Sequence, residues 1–381
     1  MRTLPVVSVL ALLAVAGCSA TTTSPPTALT TSPGTVPAST VDRVRNDIDD
    51  LTRSGVAGVI ATLTDNGQTV TLTSGVADRA TGAPIPLSPP QEVRVGSISK
   101  SFTAAIVLQL VAENRVRLDD SVDTYLPGLL TGEGIDGRAI TVRQLLQHRS
   151  GLPEFSDLPE VDEYRAGVEG RTFTPGEMVA LALRRPAQFP PGQQYKYTNT
   201  NYTVAGMLVE KVTGRPYADE LTGRILTPHQ LTGTYLPATG ELDLRGPHPH
   251  GYATIDGVRV DVTRSEPSTP WAAGALVSTG NDLNRFYLAL VAGQIVSEAQ
   301  LSEMMAGESP VVPDSPLRYG MGLATTELSC GAQYYGHSGG IYGYLTLSGA
   351  TRDGRAATIA MTEMPEGELD MVELLDHALC P

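Results

Sequence analysis

Lysine is scarce in this 381-residue chain, and the charge balance as a whole is acidic. Lysine and arginine together number 27 against 41 aspartates and glutamates, which gives a formal net charge of -14. Nucleic-acid-binding proteins need a concentrated basic surface, so the composition argues against nucleic acid as a partner. It argues equally against direct adhesion to an anionic membrane surface. The three lysines are Lys100, Lys196 and Lys211.

Long hydrophobic runs are also missing. The apolar segment from Leu4 to Ala16 is too short to span a bilayer comfortably, and after Met1-Arg2 it is typical of a secretory signal peptide over residues 1–17. The signal ends in Val15-Ala16-Gly17-Cys18, which resembles the lipobox of bacterial lipoproteins. That resemblance implies that Cys18 is lipidated; the alternative is a signal peptide with an incidental cysteine.

Residues 18–40 are rich in Thr, Ser and Pro and almost uncharged, so they cannot bury a core and are expected to form a tether. We therefore expect an exported protein, lipid-anchored to the outer face of the cell membrane. In that oxidising compartment the two remaining cysteines, Cys330 and Cys380, are a possible pair. We predict a disulfide between them that ties the C-terminal helix to the sheet.

Metal-binding motifs are absent from the sequence. It contains no His-Glu-x-x-His and no closely spaced cysteine pair. We therefore expect neither a metal nor another cofactor.

Lys100 lies in the first turn of a predicted helix, where the positive end of the helix dipole disfavours a cation. In Val95-Gly96-Ser97-Ile98-Ser99-Lys100, a hydroxyl and an amine lie three residues apart at the start of a predicted helix, Phe102 to Glu113. Residues at i and i+3 share a helix face, and the positive end of the helix dipole together with burial lowers the pKa of an ammonium there. A neutral Lys100 can take the proton of Ser97. The alternative is a surface lysine beside an ordinary capping serine.

Strands are predicted at both ends of the body and helices between them. Segments 57–64 and 69–76 alternate around Asn66-Gly67 and predict a hairpin, and segments 334–336, 342–348 and 356–361 are strand-like. Helices are predicted in the following segments: 40–54, 141–148, 175–184, 200–212, 282–292, 297–305 and 368–379.

This order favours an α/β (α+β) fold, with one antiparallel sheet assembled from both termini, flanked by helices and interrupted by a helical lobe. We assign residues 41–381 to a single catalytic domain. Its sheet part covers about 41–100 and 265–381, and its helical lobe covers about 101–264.

Two further motifs follow the Ser-x-x-Lys. Tyr197-Thr198-Asn199 precedes a predicted helix, and His337-Ser338-Gly339-Gly340 leads into a predicted strand. The three motifs in this order resemble the serine β-lactamase and penicillin-binding enzyme family, over about residues 40–380. The likeness is greatest to secreted D-alanyl-D-alanine carboxypeptidases of the class C β-lactamase-like branch. It implies the β-lactamase/transpeptidase-like fold.

The resemblance also implies roles for the motif residues. Ser97 would be the nucleophile that carries the acyl group, and Lys100 and Tyr197 would move the proton, with the choice of general base left open. Tyr197 would need a lowered pKa, for which Lys100 is the expected cause. Asn199 would orient the substrate amide. The backbone N–H groups of Ser97 and Gly340 would form the oxyanion hole.

The remaining candidates belong to substrate binding. Gly339 lets the strand approach the ligand closely, and Ser338 neighbours it. His337 stands where relatives often carry lysine, and is either a binding or proton-relay residue or a satisfied strand histidine. Trp271 resembles a cleft-lining aromatic, with a core role as the alternative. Tyr197 and Asn199 have structural alternatives too, as a packed aromatic and as a helix cap.

Gly336-His337-Ser338-Gly339-Gly340 also matches Gly-x-Ser-x-Gly, the nucleophile elbow of α/β-hydrolases. That motif needs a helix after its second glycine, whereas Ile341 to Ser348 is typical of a strand. The triad would also need His377. We therefore do not favour this interpretation.

Two departures from the family pattern bear on the substrate. Ala324 occupies the position where the carboxypeptidase branch has a base for the terminal carboxylate, and no Glu-x-x-x-Asn, which resembles the class A deacylation site, occurs in the chain. We expect a D-alanyl-D-alanine carboxypeptidase-like serine hydrolase that forms a long-lived penicilloyl adduct. The alternatives are an esterase or amidase on a small ester or amide, or a non-catalytic penicillin-binding module. We expect a monomer that takes small peptide, ester or β-lactam substrates.

Overall fold

The structure is a computed structural model and describes residues 35–306, 309–311 and 315–381. The predicted signal peptide, the lipidated Cys18 and most of the tether lie outside the described residues. Helix α1 begins at Ala38, so the tether predicted to run to residue 40 ends at least three residues earlier.

The helices are these: α1 Ala38–Arg53, α2 Ser99–Ala112, α3 Val122–Tyr125, α4 Val142–Leu146, α5 Glu163–Glu169, α6 Pro175–Ala182, α7 Asn199–Thr213, α8 Tyr217–Leu221, α9 Trp271–Gly274, α10 Gly280–Val291, α11 Glu298–Met305 and α12 Met371–Leu379. The strands are these: β1 Gly58–Asp65, β2 Gln68–Asp78, β3 Ala83–Pro84, β4 Val93–Arg94, β5 Thr131–Gly132, β6 Ile135–Asp136, β7 Tyr252–Ile255, β8 Val258–Asp261, β9 Val277–Ser278, β10 Ser309–Pro310, β11 Arg318–Tyr319, β12 Ala324–Glu327, β13 Gln333–Ile341, β14 Tyr344–Ala350 and β15 Arg355–Met361.

The main sheet joins the two ends of the body, as predicted. Among the described residues it has nine antiparallel strands in the order β10-β11-β12-β13-β14-β15-β1-β2-β3. Strand β1 pairs with β2 through the predicted hairpin and with β15 on its other side, where Val59 faces Met361. The predicted α/β (α+β) sheet architecture is therefore confirmed.

Strand β1 buries both of its faces because helices cover the sheet on both sides. Val59, Ala61 and Leu63 pack in one apolar cluster with side chains of α1 and α12, whereas Ile60 belongs to the larger cluster formed with the helical lobe. This alternation follows from the two-residue period of a strand. Residues 59–61 of β1 are therefore all apolar, and Thr62 and Thr64 that follow in the strand are buried as well.

Helix α2 runs through the centre of the molecule. Every residue from Ser99 to Leu108 is buried, and the ring of Phe102 stacks on that of Phe286 at 3.7 Å. A helix enclosed on all sides must pair its own polar groups, and Ser101 does so by donating to the carbonyl of Gly322 at 2.6 Å. Lys100 lies in this dry environment.

The predicted disulfide is present. Cys330 and Cys380 are bonded with their Cα atoms 5.8 Å apart, which links the loop before β13 to the residue after α12. The C-terminus is held from the other side by Thr40, whose hydroxyl donates to the carbonyl of Cys380 at 3.3 Å. Among the described residues, no helix is both long enough and apolar enough to cross a membrane.

Candidate active site

Ser97 lies in a short 3₁₀ turn, Gly96–Ile98, that leads directly into α2. The turn is packed tightly against β13: Gly96 has φ +50°, and a Cβ there would lie 2.8 Å from the carbonyl oxygen of Gly340. Glycine tolerates both the conformation and the contact. Ser97 remains half-buried while its neighbours Gly96 and Ile98 are buried. The hydroxyl is therefore reachable.

Lys100 projects from the first turn of α2 and is fully buried. Its Nζ lies 2.9 Å from Ser97 Oγ, 2.7 Å from Asn199 Oδ1 and 2.7 Å from the carbonyl oxygen of Ala273. Burial lowers the pKa of Lys100 to about 7, against a smaller opposite effect of the carboxylate of Glu154. A large fraction of the amine is therefore neutral near neutral pH.

The three contacts of Lys100 Nζ fix the orientation of its N–H bonds and its lone pair when the amine is neutral. The oxygens of Asn199 and Ala273 can only accept, so the two N–H bonds of the neutral amine point to them. The lone pair that remains is directed at Ser97, whose hydroxyl becomes the donor at 2.9 Å. This is the geometry of a general base and its nucleophile.

Tyr197 lies beside Lys100, with Nζ 4.8 Å from its ring centroid. Its hydroxyl is buried without a hydrogen-bond partner in the described part of the chain. Burial raises the pKa of Tyr197 well above its usual value, and the nearby Ser97 only partly offsets this. The predicted lowered pKa is therefore wrong, because desolvation of the buried hydroxyl outweighs any effect of Lys100. Tyr197 is a neutral phenol that can donate a proton.

Asn199 is the first residue of α7, and the cap of that helix is Thr198, whose side chain accepts from the N–H of Thr200. The alternative that Asn199 is merely the cap is therefore wrong. The side chain of Asn199 instead accepts from Lys100, and the backbone N–H of Asn199 donates to Glu154 Oε2 at 2.6 Å. Glu154 thereby positions Asn199 and adds a negative charge near the amine.

Half of β13 has an unpaired edge. Strand β12 pairs only with residues up to Gly336, whereas β14 pairs with β13 as far as Ile341. The turn that carries Ser97 packs against the vacated edge. A Cβ on Gly339 would lie 2.0 Å from the carbonyl oxygen of Val95 and 2.8 Å from the nitrogen of Ser97. A side chain at 339 would push the strand away from Ser97.

His337 lies on this part of β13, but both nitrogens of its ring already have hydrogen-bond partners within the protein. Tyr319 on β11 has its hydroxyl 3.1 Å from His337 Nε2 and 3.2 Å from His148 Nε2. His148 Nδ1 accepts from the N–H of Thr198 and the amide of Asn201, so His148 Nε2 carries the proton and donates to Tyr319, which in turn donates to His337. His337 Nδ1 then donates to the carbonyl of Ser338.

His337 is neutral within this chain of hydrogen bonds. Burial, with a smaller effect of Lys100, lowers the pKa of His337 to about 3. His337 is therefore an uncharged acceptor where relatives often have a cation. His148, expected to be structural, also clamps the segment around Tyr197: its ring lies 4.1 Å from the Tyr197 ring, and its carbonyl accepts from the N–H of Lys196 at 2.9 Å.

Two cavities meet at Ser97, and Ser97 and Gly340 line both of them. The first, which we call the polar cavity, has a volume of about 170 Å³ and is lined also by Asn199 and Glu163. The second, which we call the apolar cavity, has a volume of about 230 Å³ and is lined also by Tyr197. A larger cavity of about 630 Å³ elsewhere contains none of the predicted site residues.

Ser338 lines the apolar cavity, but Trp271 lines neither cavity. The Trp271 ring packs on Tyr217 at 5.4 Å and against Gly206, where a Cβ would lie 2.7 Å from it. The core alternative for Trp271 therefore describes its environment, and the expectation of a cleft-lining role is not met.

The nucleophile elbow is also excluded. Ser338 lies within β13, and a second strand, β14, follows it instead of a helix. His377, which that triad needed, is on α12 and contacts Asp47 at 3.0 Å.

Sequence reasoning missed three residues of this site: Glu154, Glu163 and Tyr319. The Leu-Pro-Glu run at Glu154 follows the His148 segment directly, and this proximity was the available signal. Glu163, at the start of α5, and Tyr319, on β11, carried no such signal, because they reach the site only through the tertiary fold.

A reachable serine beside a buried lysine, with a tyrosine and an asparagine next to them between an antiparallel sheet and a helical lobe, defines a serine hydrolase of the β-lactamase/transpeptidase fold. A family model described as Beta-lactamase matches residues 44–378. The chain belongs to the Beta-lactamase family.

Two solved structures are similar over most of their length. A D-stereospecific amidohydrolase from Streptomyces sp. is 34% identical with a TM-score of 0.81, and the match covers 89% of this chain and 98% of that one. A D-amino acid amidase from Ochrobactrum anthropi is 28% identical with a TM-score of 0.77, covering 89% and 97%. PbpX of Bacillus subtilis, whose name places it among penicillin-binding proteins, is 26% identical over 85% of this chain and 75% of its own length.

Proposed function

We propose that this protein is an amidohydrolase that cleaves small D-aminoacyl amides or peptides through an acyl-enzyme on Ser97. The observation that carries the proposal is the contact between Lys100 Nζ and Ser97 Oγ at 2.9 Å, with the other two bonds of the amine committed to acceptors. That geometry supports Lys100 as the base for the attack.

In the proposed reaction Ser97 Oγ bonds to the substrate carbonyl carbon while its proton passes to Lys100. The carbonyl oxygen gains negative charge and is held by the N–H groups of Ser97 and Gly340; one such donor is typically worth a factor of about 10²–10³ in rate. The C–N bond then breaks, and the leaving nitrogen takes a proton from Tyr197. Protonated Lys100 then gives its extra proton to Tyr197. Water hydrolyses the remaining ester and regenerates Ser97.

The charges of the polar cavity favour a substrate with a free amino group. Glu163 lines this cavity, and its carboxyl forms no ion pair within the described part of the chain. Burial raises the pKa of Glu163 to about 7. An ammonium group bound beside it would favour its ionised form, as an opposite charge does for any carboxyl.

The likeness to an amidohydrolase and an amidase named for D-substrates supports the D-configuration. A D-alanyl-D-alanine carboxypeptidase is the second candidate, supported by the likeness to PbpX. Ala324 disfavours it, because the branch would have a base there for the substrate carboxylate. A non-catalytic penicillin-binding module is the third candidate, and the complete set of Ser97, Lys100, Tyr197 and Asn199 disfavours it.

Steady-state hydrolysis of a matched substrate panel separates the candidates. The panel is D-phenylalanine amide, L-phenylalanine amide, a D-Ala-D-Ala peptide and a labelled penicillin, each tested on wild type, Ser97→Ala and the exposed control Ser302→Ala. We expect turnover of the D-amide by wild type and the control, and none by Ser97→Ala. Turnover of the D-Ala-D-Ala peptide alone would establish the carboxypeptidase instead. Penicillin labelling with no turnover would establish the module.

We propose further that the protein is exported and anchored through a lipid on Cys18. The run Leu4 to Ala16 and the sequence before Cys18 support this. Metabolic labelling with a fatty-acid analogue is expected to mark wild type and not Cys18→Ser. Equal labelling of both would contradict the anchor. That the protein is a monomer stays a prediction, and sedimentation of the purified chain would test it.

A further inference from the structure

We propose that the apolar cavity is the leaving-group subsite and that it selects uncharged, apolar leaving groups such as an aryl or benzyl amine. The inference rests on the proposed acyl-enzyme function and adds the chemical class of the group that departs.

The position of the cavity assigns it to the leaving group. Ser97 and Gly340 line both cavities, so the carbonyl under attack lies where the two meet. The leaving nitrogen must receive a proton, and Tyr197, a buried neutral phenol, lines only the apolar cavity. Asn199 and Glu163 line only the polar cavity. The acyl part of the substrate therefore extends towards these two residues and the departing part towards Tyr197.

The walls of the apolar cavity carry no cation. Its lining includes Ala324, Tyr334, Leu347, Met371 and Leu375, and among the described residues neither lysine nor arginine lines it. Arg318, next to Tyr319 on β11, is exposed and does not line the cavity. A carboxylate on the leaving group would lose its water here without gaining a partner.

Two tyrosine hydroxyls in these walls are already paired. The Tyr319 hydroxyl is shared between His148 and His337, and the Tyr334 hydroxyl donates to the carbonyl of Ser348 at 2.9 Å. His337, which is held as an uncharged acceptor from Tyr319, offers no charge either. Apart from Ser97, Tyr197 and Ser338, the cavity thus presents paired polar groups and apolar side chains, a surface that suits an aromatic or aliphatic group.

The size of the cavity limits what it can hold. At about 230 Å³ it is smaller than the roughly 300–1,000 Å³ of pockets that take a whole drug-sized ligand. It suits one substituent. Apolar pockets discriminate a single methylene by roughly 10- to 200-fold, so the rate should depend steeply on leaving-group size.

The test keeps one acyl group, D-phenylalanyl, and varies the amine that leaves: ammonia, benzylamine, 4-nitroaniline and D-alanine. For wild type we expect kcat/KM for the benzylamide and the anilide to exceed that for the D-alanine dipeptide by at least about tenfold. Ala324→Arg, which places a cation in the wall, should lower the rate on the benzylamide and raise it on the dipeptide, so that the ratio falls at least about tenfold. Ala80→Arg adds the same charge at an exposed position and should leave the ratio unchanged.

The wild-type series needs no variant, so a misfolded Ala324→Arg protein would not leave the proposal untested. Equal or faster cleavage of the dipeptide by wild type would overturn it. So would a ratio in folded Ala324→Arg, checked by thermal unfolding, that matches wild type. Failure of the proposed function looks different, because no substrate of the series would then give an acyl-enzyme on Ser97 by mass spectrometry.

Discussion

The ionisation of Lys100 predicts an acid limb in the pH dependence of acylation. Only the neutral amine can accept the proton of Ser97, and burial places the pKa of Lys100 at about 7. Below that value the neutral fraction falls tenfold for each pH unit, so at pH 5 the acylation rate should be about 1% of its plateau. A lysine with its ordinary pKa would place the same limb near pH 10.

Glu163 also titrates near pH 7, so the assay must separate the two groups. Stopped-flow release of nitrophenol from an aryl ester without an amino group reports Lys100, since that substrate has nothing for the Glu163 carboxylate to bind. Glu163→Gln should keep the acid limb on this ester. A rate in Glu163→Gln that is constant from pH 5 to pH 8 would refute the role of Lys100 as base.

The same ionisation couples to stability. Between pH 7 and pH 10.5 an unfolded lysine holds a proton that the folded Lys100 largely lacks. The free energy of unfolding should therefore rise with pH across this window through this group.

Three substitutions test the supports of the site. Gly339→Ala should lower acylation by a factor of about 10²–10³, the worth of one oxyanion donor, because the new Cβ would lie 2.8 Å from the nitrogen of Ser97; burst kinetics would detect it, and an unchanged burst would contradict it. Tyr319→Phe should cost about 1–3 kcal/mol for each histidine nitrogen it leaves unpaired, measured by urea unfolding, and a loss below 0.5 kcal/mol would speak against the hydrogen-bond chain. Cys380→Ser removes a cross-link between residues 50 apart and should lower the free energy of unfolding by roughly 4 kcal/mol through loop entropy. Guanidinium unfolding measures this loss, and reduced wild type, as the control, should lose the same amount.

Local patterns were enough to predict the elements that pair or cap within a few residues. The hairpin around Asn66-Gly67 needs only a turn and alternation, and α7 ends at Gly214, which takes the left-handed conformation that helix ends favour. The order of the three motifs was enough to bring Ser97, Lys100 and Tyr197 together.

Strand β13 was predicted too short for a physical reason. The prediction ended it at Gly336, whereas it runs to Ile341 through Gly339 and Gly340. Glycine is unfavourable in strands in general, but here the missing side chains allow the turn of Ser97 to pack on the strand. The requirement comes from a tertiary contact and leaves no local signal.

The prediction of a lowered pKa for Tyr197 was wrong for a related reason. Proximity to Lys100 could be inferred from the motifs, but the burial of the Tyr197 hydroxyl depends on the whole aromatic surroundings, which include His148 and Tyr319. Desolvation then outweighs the neighbouring cation. Glu163 escaped notice because α5, which it begins, reaches the site only when the helical lobe folds over the sheet.

In the proposed reaction the Ser97 hydroxyl becomes esterified with the acyl group of the substrate. Rapid-quench mass spectrometry with peptide mapping, after mixing the protein with D-phenylalanine nitroanilide, tests it most directly. We expect a mass increase equal to the D-phenylalanyl group on the peptide that contains Ser97, and no such increase in Ser97→Ala. Hydrolysis of the substrate without that adduct, or with an undiminished rate in Ser97→Ala, would contradict it.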